Sequence, residues 1–480
     1  MIHKSNRISE LEAIYKAIDD NFPEHLERCQ AFLRQKSLSD TGEGIRGTAE
    51  MVRSYIEAIG GSVELWGDSS FPIVFGQVEG RSPETLIVYG MYDVQPADET
   101  NWISPPFDAK IHSLPGLGDC VVARGAVNSK GALCGVFNVL NVIKEQSGIP
   151  LNLIFTIEGE EEIGSPQFES FIRENRDRLK AKGVVDFDFS QDTKRTVSMH
   201  LGLKGIVYMD LICKGGRKGG PMETSVHGSA SAWISSPVWR LIKALSTLTD
   251  RRENIRISGL YDNVAQPGRT DRMLLKTLEK VFDEKLFLRE MKSLRFKSTR
   301  RGVDLLKTGL YSPIININGF SAGYSGKGTK TILPRKATAK IDIRFGPRLE
   351  PEEVIEKFTR HLTDHGFDDI EVRVRDNYTW SKTDFSEPIV QNMIASYRVH
   401  GVEPEVWPIA TWAAPYFVFS RILQLPVVSG GLGHGGRQHV ANEYMTVEGL
   451  RDFEKFVATF LYSMADREPP GGPFHQKTDA

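Results

Sequence analysis

Short apolar runs that end in polar loops constrain the fold of this chain more than any other feature. "LIVYG", "LNLIFTIEG" and "VVDFDF" are typical of buried strands, because each is nearly continuous in apolar residues and is followed by Gly or polar positions. Segments with helical spacing, such as "GALCGVFNVLNVIKEQSG", lie between them. This alternation predicts an α/β domain with a mostly parallel sheet flanked by helices.

The pattern changes after Gly205. "ATAKIDIRFGP" and "IEVRVRDN" alternate between apolar and polar residues, and amphipathic helical segments accompany them. Strands that flank two helices predict an inserted α+β domain of ferredoxin-like form. A chain of 480 residues is also too long for one ordinary core. We therefore predict a first domain formed by residues 1–205 and 385–480, and an inserted domain formed by residues 206–384.

Composition and charge argue against several classes of function. The formal net charge is −2, which gives no electrostatic basis for binding nucleic acid or an acidic membrane. The charged N-terminal segment lacks the apolar core of a signal peptide, and no run is apolar enough to span a bilayer. The four cysteines show no CxxC spacing, which favours reduced thiols in a cytoplasmic protein. The tail "DREPPGGPFHQKTDA" is predicted to be frayed.

Acidic residues follow the predicted strands at the edge where parallel strands present functional side chains. Asp93, Glu161, Glu162 and Asp192 could converge there, together with His439 from near the end of the chain. Carboxylates and one histidine are ligands that suit Zn or Mn. A lone acidic run is more often a solvated turn, and a lone histidine is more often structural. The combination and order of the segments favour a functional site.

That order resembles the co-catalytic zinc peptidases of clan MH, which include aminoacylase, carnosine dipeptidase, carboxypeptidase G and succinyl-diaminopimelate desuccinylase. The resemblance covers nearly the whole chain and is closest to the dipeptidase branch. Five segments are similar to its motifs: "GMYDVQP", "RGAVNSKG", "EEIGS", "FSQDT" and "HVANE". The resemblance implies a zinc-peptidase-like catalytic domain and an inserted domain that serves as a lid and forms a homodimer.

The resemblance also implies roles for individual residues. Glu161 would be the general base that activates water, and Asp93 would orient the first ligand loop. Glu162 and His439 would bind one metal ion, and Asp192 would bind the other.

Two ligand positions depart from the family pattern. Met91 stands where the family has its first histidine, and Asn128 stands where it has the bridging aspartate. Two divalent ions ~3.5–4 Å apart repel by on the order of 20 kcal/mol at an effective dielectric near 20, and a neutral amide offsets less of this than a carboxylate. We therefore predict at most one ion, Zn or Mn, on Glu162 and His439. The carbonyl oxygen of Asn128 is a candidate third ligand, and Asp192 is expected near enough to contribute. Met91 and Asn128 are assigned to the substrate pocket.

A site without metal is the alternative, because crowded carboxylates then raise one another's pKa and form a proton donor and acceptor pair. On the substrate side, the resemblance implies that His227 stabilises an oxyanion in a partner subunit and that Arg344 binds a substrate carboxylate. Without the resemblance, His227 would be interpreted as part of a capped turn, and Arg344 as a solvated strand residue.

These observations predict an amidohydrolase or dipeptidase-like enzyme that cleaves a C–N bond in a small molecule. One alternative is a metal-independent deaminase, lyase or isomerase that uses the carboxylates as acid and base. Another is a catalytically silent homologue that binds a small ligand. Metal content separates the first two hypotheses, and a screen for C–N turnover separates both from the third.

Overall fold

The computed structural model describes residues 2–98 and 100–465, so the tail predicted to be frayed, residues 466–480, lies outside the described residues. Within them the helices are α1 (Ile2–Arg34), α2 (Ile45–Ala58), α3 (Lys130–Gln146), α4 (Phe168–Glu174), α5 (Pro237–Thr247), α6 (Arg269–Val281), α7 (Glu284–Glu290), α8 (Gly302–Tyr311), α9 (Pro351–Asp364), α10 (Pro388–Val399) and α11 (Val447–Ala465).

The strands of the same described residues are β1 (Ser62–Trp66), β2 (Ile73–Val78), β3 (Ser82–Met91), β4 (Lys110–Leu114), β5 (Gly118–Val122), β6 (Leu151–Glu158), β7 (Val184–Phe187), β8 (Ser198–His200), β9 (Gly202–Leu203), β10 (Gly205–Lys214), β11 (Val226–His227), β12 (Ile314–Ala322), β13 (Ile332–Leu333), β14 (Lys336–Phe345), β15 (Glu371–Tyr378), β16 (Ser381–Lys382), β17 (Glu405–Trp407), β18 (Val427–Gly430), β19 (Gly435–Gly436) and β20 (Tyr444–Thr446).

The chain forms two compact units. The first contains the described parts of Met1–Leu201, Thr383–Val406 and Val418–Ala480, and the second contains Gly202–Lys382 and Trp407–Phe417. The predicted boundaries placed residues 202–205 and 383–384 on the other side of this division. The prediction had also placed residues 407–417 in the first domain. They belong to the second unit because Ile409 is fully buried in its core, with Trp407 packed against the same apolar cluster.

The first unit is built on a mostly parallel sheet, as predicted. Its strand order is β1-β2-β6-β3-β7-β18, in which β6, β3, β7 and β18 run parallel and β2 pairs antiparallel to β6. Successive side chains of a strand point to opposite faces. Phe155 of β6 packs on Phe137 of α3, with ring centroids 5.6 Å apart. Tyr89 of β3 packs on Phe168 of α4 at 5.3 Å. Both faces are therefore covered by helices, which explains why these strands are apolar throughout.

The register of the two central strands positions the polar loops. Met91, the last residue of β3, lies opposite Glu158, the last residue of β6. Because these parallel strands end at the same level, the loops that begin at Tyr92 and Gly159 leave the sheet side by side.

The second unit is an antiparallel α+β structure, as the alternating pattern predicts. Its sheet has the order β12-β14-β10-β15, and β10 pairs with β14 from Gly205↔Phe345 to Lys214↔Lys336. Helices α5 and α9 contact this sheet, and their buried residues share one apolar core with its strands. None of the described helices is both long enough and apolar enough to cross a membrane.

Candidate active site

Asp93 connects the ends of β3 and β6. Its side chain is fully buried, and it accepts the backbone N–H of Glu161 at Oδ1 (3.2 Å) and of Glu162 at Oδ2 (3.0 Å). Burial raises the pKa of Asp93 to about 8, the negative charge of Glu162 adds to the rise, and the two backbone donors oppose it. Asp93 therefore fixes the short turn that carries Glu161 and Glu162.

The carboxylate of this turn that remains available for proton transfer is that of Glu161. Among the described residues, none forms a hydrogen bond with its side chain. Its pKa is raised well above the ordinary value, first by burial and then by the charges of Glu162, Glu158 and Asp93. A carboxyl group in this state can take up and release a proton, as a general base requires.

Glu162, by contrast, is bound by three side chains. Its Oε1 accepts a hydrogen bond from Asn128 Nδ2 (2.7 Å) and lies 3.2 Å from His439 Nε2, and its Oε2 accepts from Gln95 Nε2 (2.8 Å). Asn128 Nδ2 is also 2.9 Å from His439 Nε2. The hydrogen bond with Glu162 raises the pKa of His439. We call Gln95, Asn128, Glu162 and His439 the Glu162 cluster.

A buried ion pair supports the loop of Asn128. Glu443 Oε2 accepts from Arg124 Nη1 at 2.8 Å, and the side chains are 0% and 1% exposed, respectively. Glu443 Oε1 accepts the backbone N–H of Val127 (3.1 Å) and of Asn128 (3.0 Å). The last residue of the "HVANE" motif therefore acts on the backbone that presents Asn128.

Arg124 joins this support to the neighbouring loops. Its guanidinium donates to the carbonyl of Pro96 at 3.0 Å and to that of Val440 at 3.4 Å, next to Gln95 and His439 respectively. Arg124 and Gln95 lie in the motifs "RGAVNSKG" and "GMYDVQP", but sequence reasoning assigned neither a role. A further signal for Arg124 was its charge in the otherwise apolar stretch "CVVARGAV".

Asp192, predicted as a metal ligand, lies in a turn that its own side chain stabilises. Its Oδ1 accepts the backbone N–H of Lys194 and of Thr196, both at 2.8 Å. Across residues 2–98 and 100–465, no three His, Cys, Asp or Glu side chains are grouped to hold a metal ion. The structure thus brings Glu162 and His439 together without Asp192.

The donors present do not fit a pair of divalent ions. Met91, 8% exposed at the end of β3, offers a thioether, which is a poor ligand for borderline cations. Asn128 directs an N–H group to Glu162, and the same amide nitrogen, which is not a metal ligand, lies 2.9 Å from His439 Nε2. One ion is compatible with the site, because two ligand atoms about 2.0–2.2 Å from a common ion lie roughly 3 Å apart. Glu162 Oε1 and His439 Nε2 have this separation, at 3.2 Å.

The two remaining predicted residues belong to the second unit. His227 Nδ1 accepts the N–H of Ser229 and so caps a short 3-10 turn, and its Nε2 lies 3.2 Å from Thr331 Oγ1. The capped turn that the sequence allowed as an alternative is therefore present. Arg344 Nε lies 3.4 Å from Asp342 Oδ2, and its Nη1 donates to the Thr411 carbonyl at 3.5 Å.

Comparison with known proteins agrees with this architecture. Residues 87–463 match the model of Peptidase family M20/M25/M40. The Cys-Gly metallodipeptidase dug1 of Schizosaccharomyces pombe is 25% identical over 413 residues, which cover 83% of this chain and 84% of that protein. The Beta-Ala-His dipeptidase of Mus musculus is 26% identical over 302 residues, covering 61% of this chain and 58% of that protein.

Solved structures give the same result. The M20 family metallo-carboxypeptidase Sso-CP2 from Sulfolobus solfataricus superposes with a TM-score of 0.84 at 30% identity, covering 92% of this chain and 99% of that one. Human carnosine dipeptidase 1 superposes with a TM-score of 0.80 at 22% identity, covering 95% and 98%. The resemblance inferred from the motifs is confirmed. The chain belongs to peptidase family M20/M25/M40 and lies in its dipeptidase-like branch.

Proposed function

We propose that this protein hydrolyses the amide-type C–N bond of a small, dipeptide-like molecule, with Glu161 as the general base. The observation that carries the proposal is the state of Glu161: its carboxylate has no hydrogen-bond partner among the described residues, its pKa is raised, and Asp93 fixes the turn on which it stands. The dipeptidase relatives support the reaction class.

In this reaction Glu161 takes a proton from water as the water oxygen attacks the carbonyl carbon. Glu161 then gives that proton to the nitrogen as the C–N bond breaks, so that an acid and an amine leave. Glu162 and His439 would hold at most one divalent ion, Zn or Mn, which supplies polarisation of the carbonyl when it is bound. Met91 and Asn128 would line the substrate pocket.

The assignments in the second unit belong to the same proposal. Arg344 would bind a substrate carboxylate, and His227 would stabilise the oxyanion in a partner subunit. A homodimer is supported by β12, an edge strand of its sheet, where Ile317 is 50% exposed, and by α5, where Trp239 is 64% exposed. The cysteines of the described residues are free and buried, which supports a reducing compartment such as the cytoplasm.

The test is turnover by the purified full-length protein, measured by mass spectrometry on a panel of dipeptides and N-acylated amino acids. Glu161→Gln keeps the shape of the side chain and removes the base, so it should lower kcat by about 10²–10⁴-fold. Glu174→Gln, a change at an exposed glutamate of α4, is the matched control and should leave kcat unchanged.

Two results would contradict the proposal: no C–N hydrolysis by the wild-type protein across the panel, or equal turnover by wild type and Glu161→Gln. Turnover that survives complete removal of divalent ions would favour the metal-independent acid and base reaction. The closed hydrogen bonding of the Glu162 cluster favours that second candidate.

A further inference from the structure

The side-chain amide of Asn128 lies at the position where Glu162 and His439 converge. Its Nδ2 is 2.7 Å from Glu162 Oε1 and 2.9 Å from His439 Nε2, and those two atoms are 3.2 Å apart. The three atoms form a nearly equilateral triangle. Asn128 Nδ2 thus donates to Glu162 Oε1 and lies next to His439 Nε2, the two atoms that would bind a cation.

The rest of the Glu162 cluster completes this arrangement. Glu162 Oε2 accepts from Gln95 Nε2 at 2.8 Å, so both carboxylate oxygens have a protein donor, and the side chain is 4% exposed. A buried carboxylate without donors or a cation would be costly. Here the amides of Asn128 and Gln95 provide the compensation that a cation would otherwise give.

We propose that Asn128 is a built-in competitor for the cation: its amide nitrogen donates to Glu162 and lies beside His439, where a cation bound by these two residues would contact them, and a divalent ion binds only by displacing that amide. The inference rests on the proposed function in one respect only: that function supplies the binding position of the single ion, at Glu162 and His439. A ligand would increase the affinity of the site for the ion. The role proposed for Asn128 is the opposite, because its amide lowers that affinity.

The backbone of Asn128 limits how the amide can leave. Its N–H is bound to Glu443 Oε1 at 3.0 Å, and Glu443 is in turn paired with buried Arg124. The loop is therefore held in place, and displacement requires rotation of the side chain with loss of its hydrogen bond to Glu162. Since a hydrogen bond to a charged group contributes more than a neutral one, this competition should weaken ion binding by about 10–100-fold.

The competitor and the ligand hypotheses predict opposite effects of Asn128→Ala. If the amide competes, this variant should bind Zn²⁺ about 10–100-fold more tightly than the wild-type protein. If the Asn128 oxygen is a ligand, the same variant should bind more weakly. Gln95→Met, which removes the donor to the other oxygen of Glu162, should tighten binding by about 3–10-fold for the same reason.

The experiment is isothermal titration calorimetry of ZnCl₂, and separately MnCl₂, into the chelator-treated full-length protein. Adding Glu162→Gln to Asn128→Ala should abolish the increase in ion affinity, which would locate the ion at Glu162. Circular dichroism should verify the fold of each variant. Gln95→Met provides the test if Asn128→Ala fails to fold. Equal or weaker binding by folded Asn128→Ala, or by Gln95→Met in its place, would overturn the inference. The readout needs no turnover, so a failure of the proposed reaction remains distinguishable from a failure of this inference.

Discussion

Replacement of Glu443 by Gln should strongly destabilise the first unit. The change removes the charge that faces Arg124 across 2.8 Å, where the two side chains are 0% and 1% exposed. The substituted amide can still accept the N–H groups of Val127 and Asn128 through its oxygen, so the main loss is electrostatic. Breaking a buried ion pair by removing one partner costs about 3–5 kcal/mol, because the remaining Arg124 loses its carboxylate and the neutral carbonyls of Pro96 and Val440 do not replace that charge.

The assay is urea-induced unfolding of the full-length protein, followed by circular dichroism. Glu448→Gln is the matched control, since Glu448 pairs with Arg195 at the same 2.8 Å but is 69% exposed. Surface pairs contribute about 0–1 kcal/mol, so the control should change little. The double variant Glu443→Gln with Arg124→Leu should lose less than the sum of the two single variants. A loss for Glu443→Gln no larger than for Glu448→Gln would refute this reasoning.

Three further predictions concern the metal, pH and assembly. Met91→His combined with Asn128→Asp should raise the divalent ion content measured by mass spectrometry towards two per chain, whereas Met91→His alone should change it little; two ions already present in the wild type would contradict this. Burial lowers the pKa of His400 from 6.5 to about 4, so the stabilising effect of the neutral ring is complete above pH 6.5 and is lost as the pH falls towards 4. His400→Asn should therefore reduce the pH dependence of the free energy of unfolding, measured in urea over this range. An unchanged pH dependence would count against this prediction. Light scattering at micromolar concentration should show a dimer that Trp239→Glu weakens, and His227→Ala should reduce turnover; a wild-type monomer would exclude both.

The sequence alone determined the two kinds of sheet and the edge at which the site forms. Continuous apolar runs indicated strands covered on both faces, and alternating runs indicated strands with one solvated face, because burial selects side chains position by position. The lost donors were also visible in the sequence, since Met91 and Asn128 differ in chemistry from the residues that the family motifs place there.

Only the tertiary structure decided what those residues do. Asn128 is 34 positions from Glu162 and 311 from His439, and nothing in its local sequence fixes the direction of its amide. Asp192 uses its Oδ1 to close its own turn, and Ile409 packs in the second unit although the surrounding pattern resembles that of the first. Periodicity reports which face of an element is buried. Which polar groups meet across loops depends on the donors and acceptors that the fold brings within hydrogen-bonding distance.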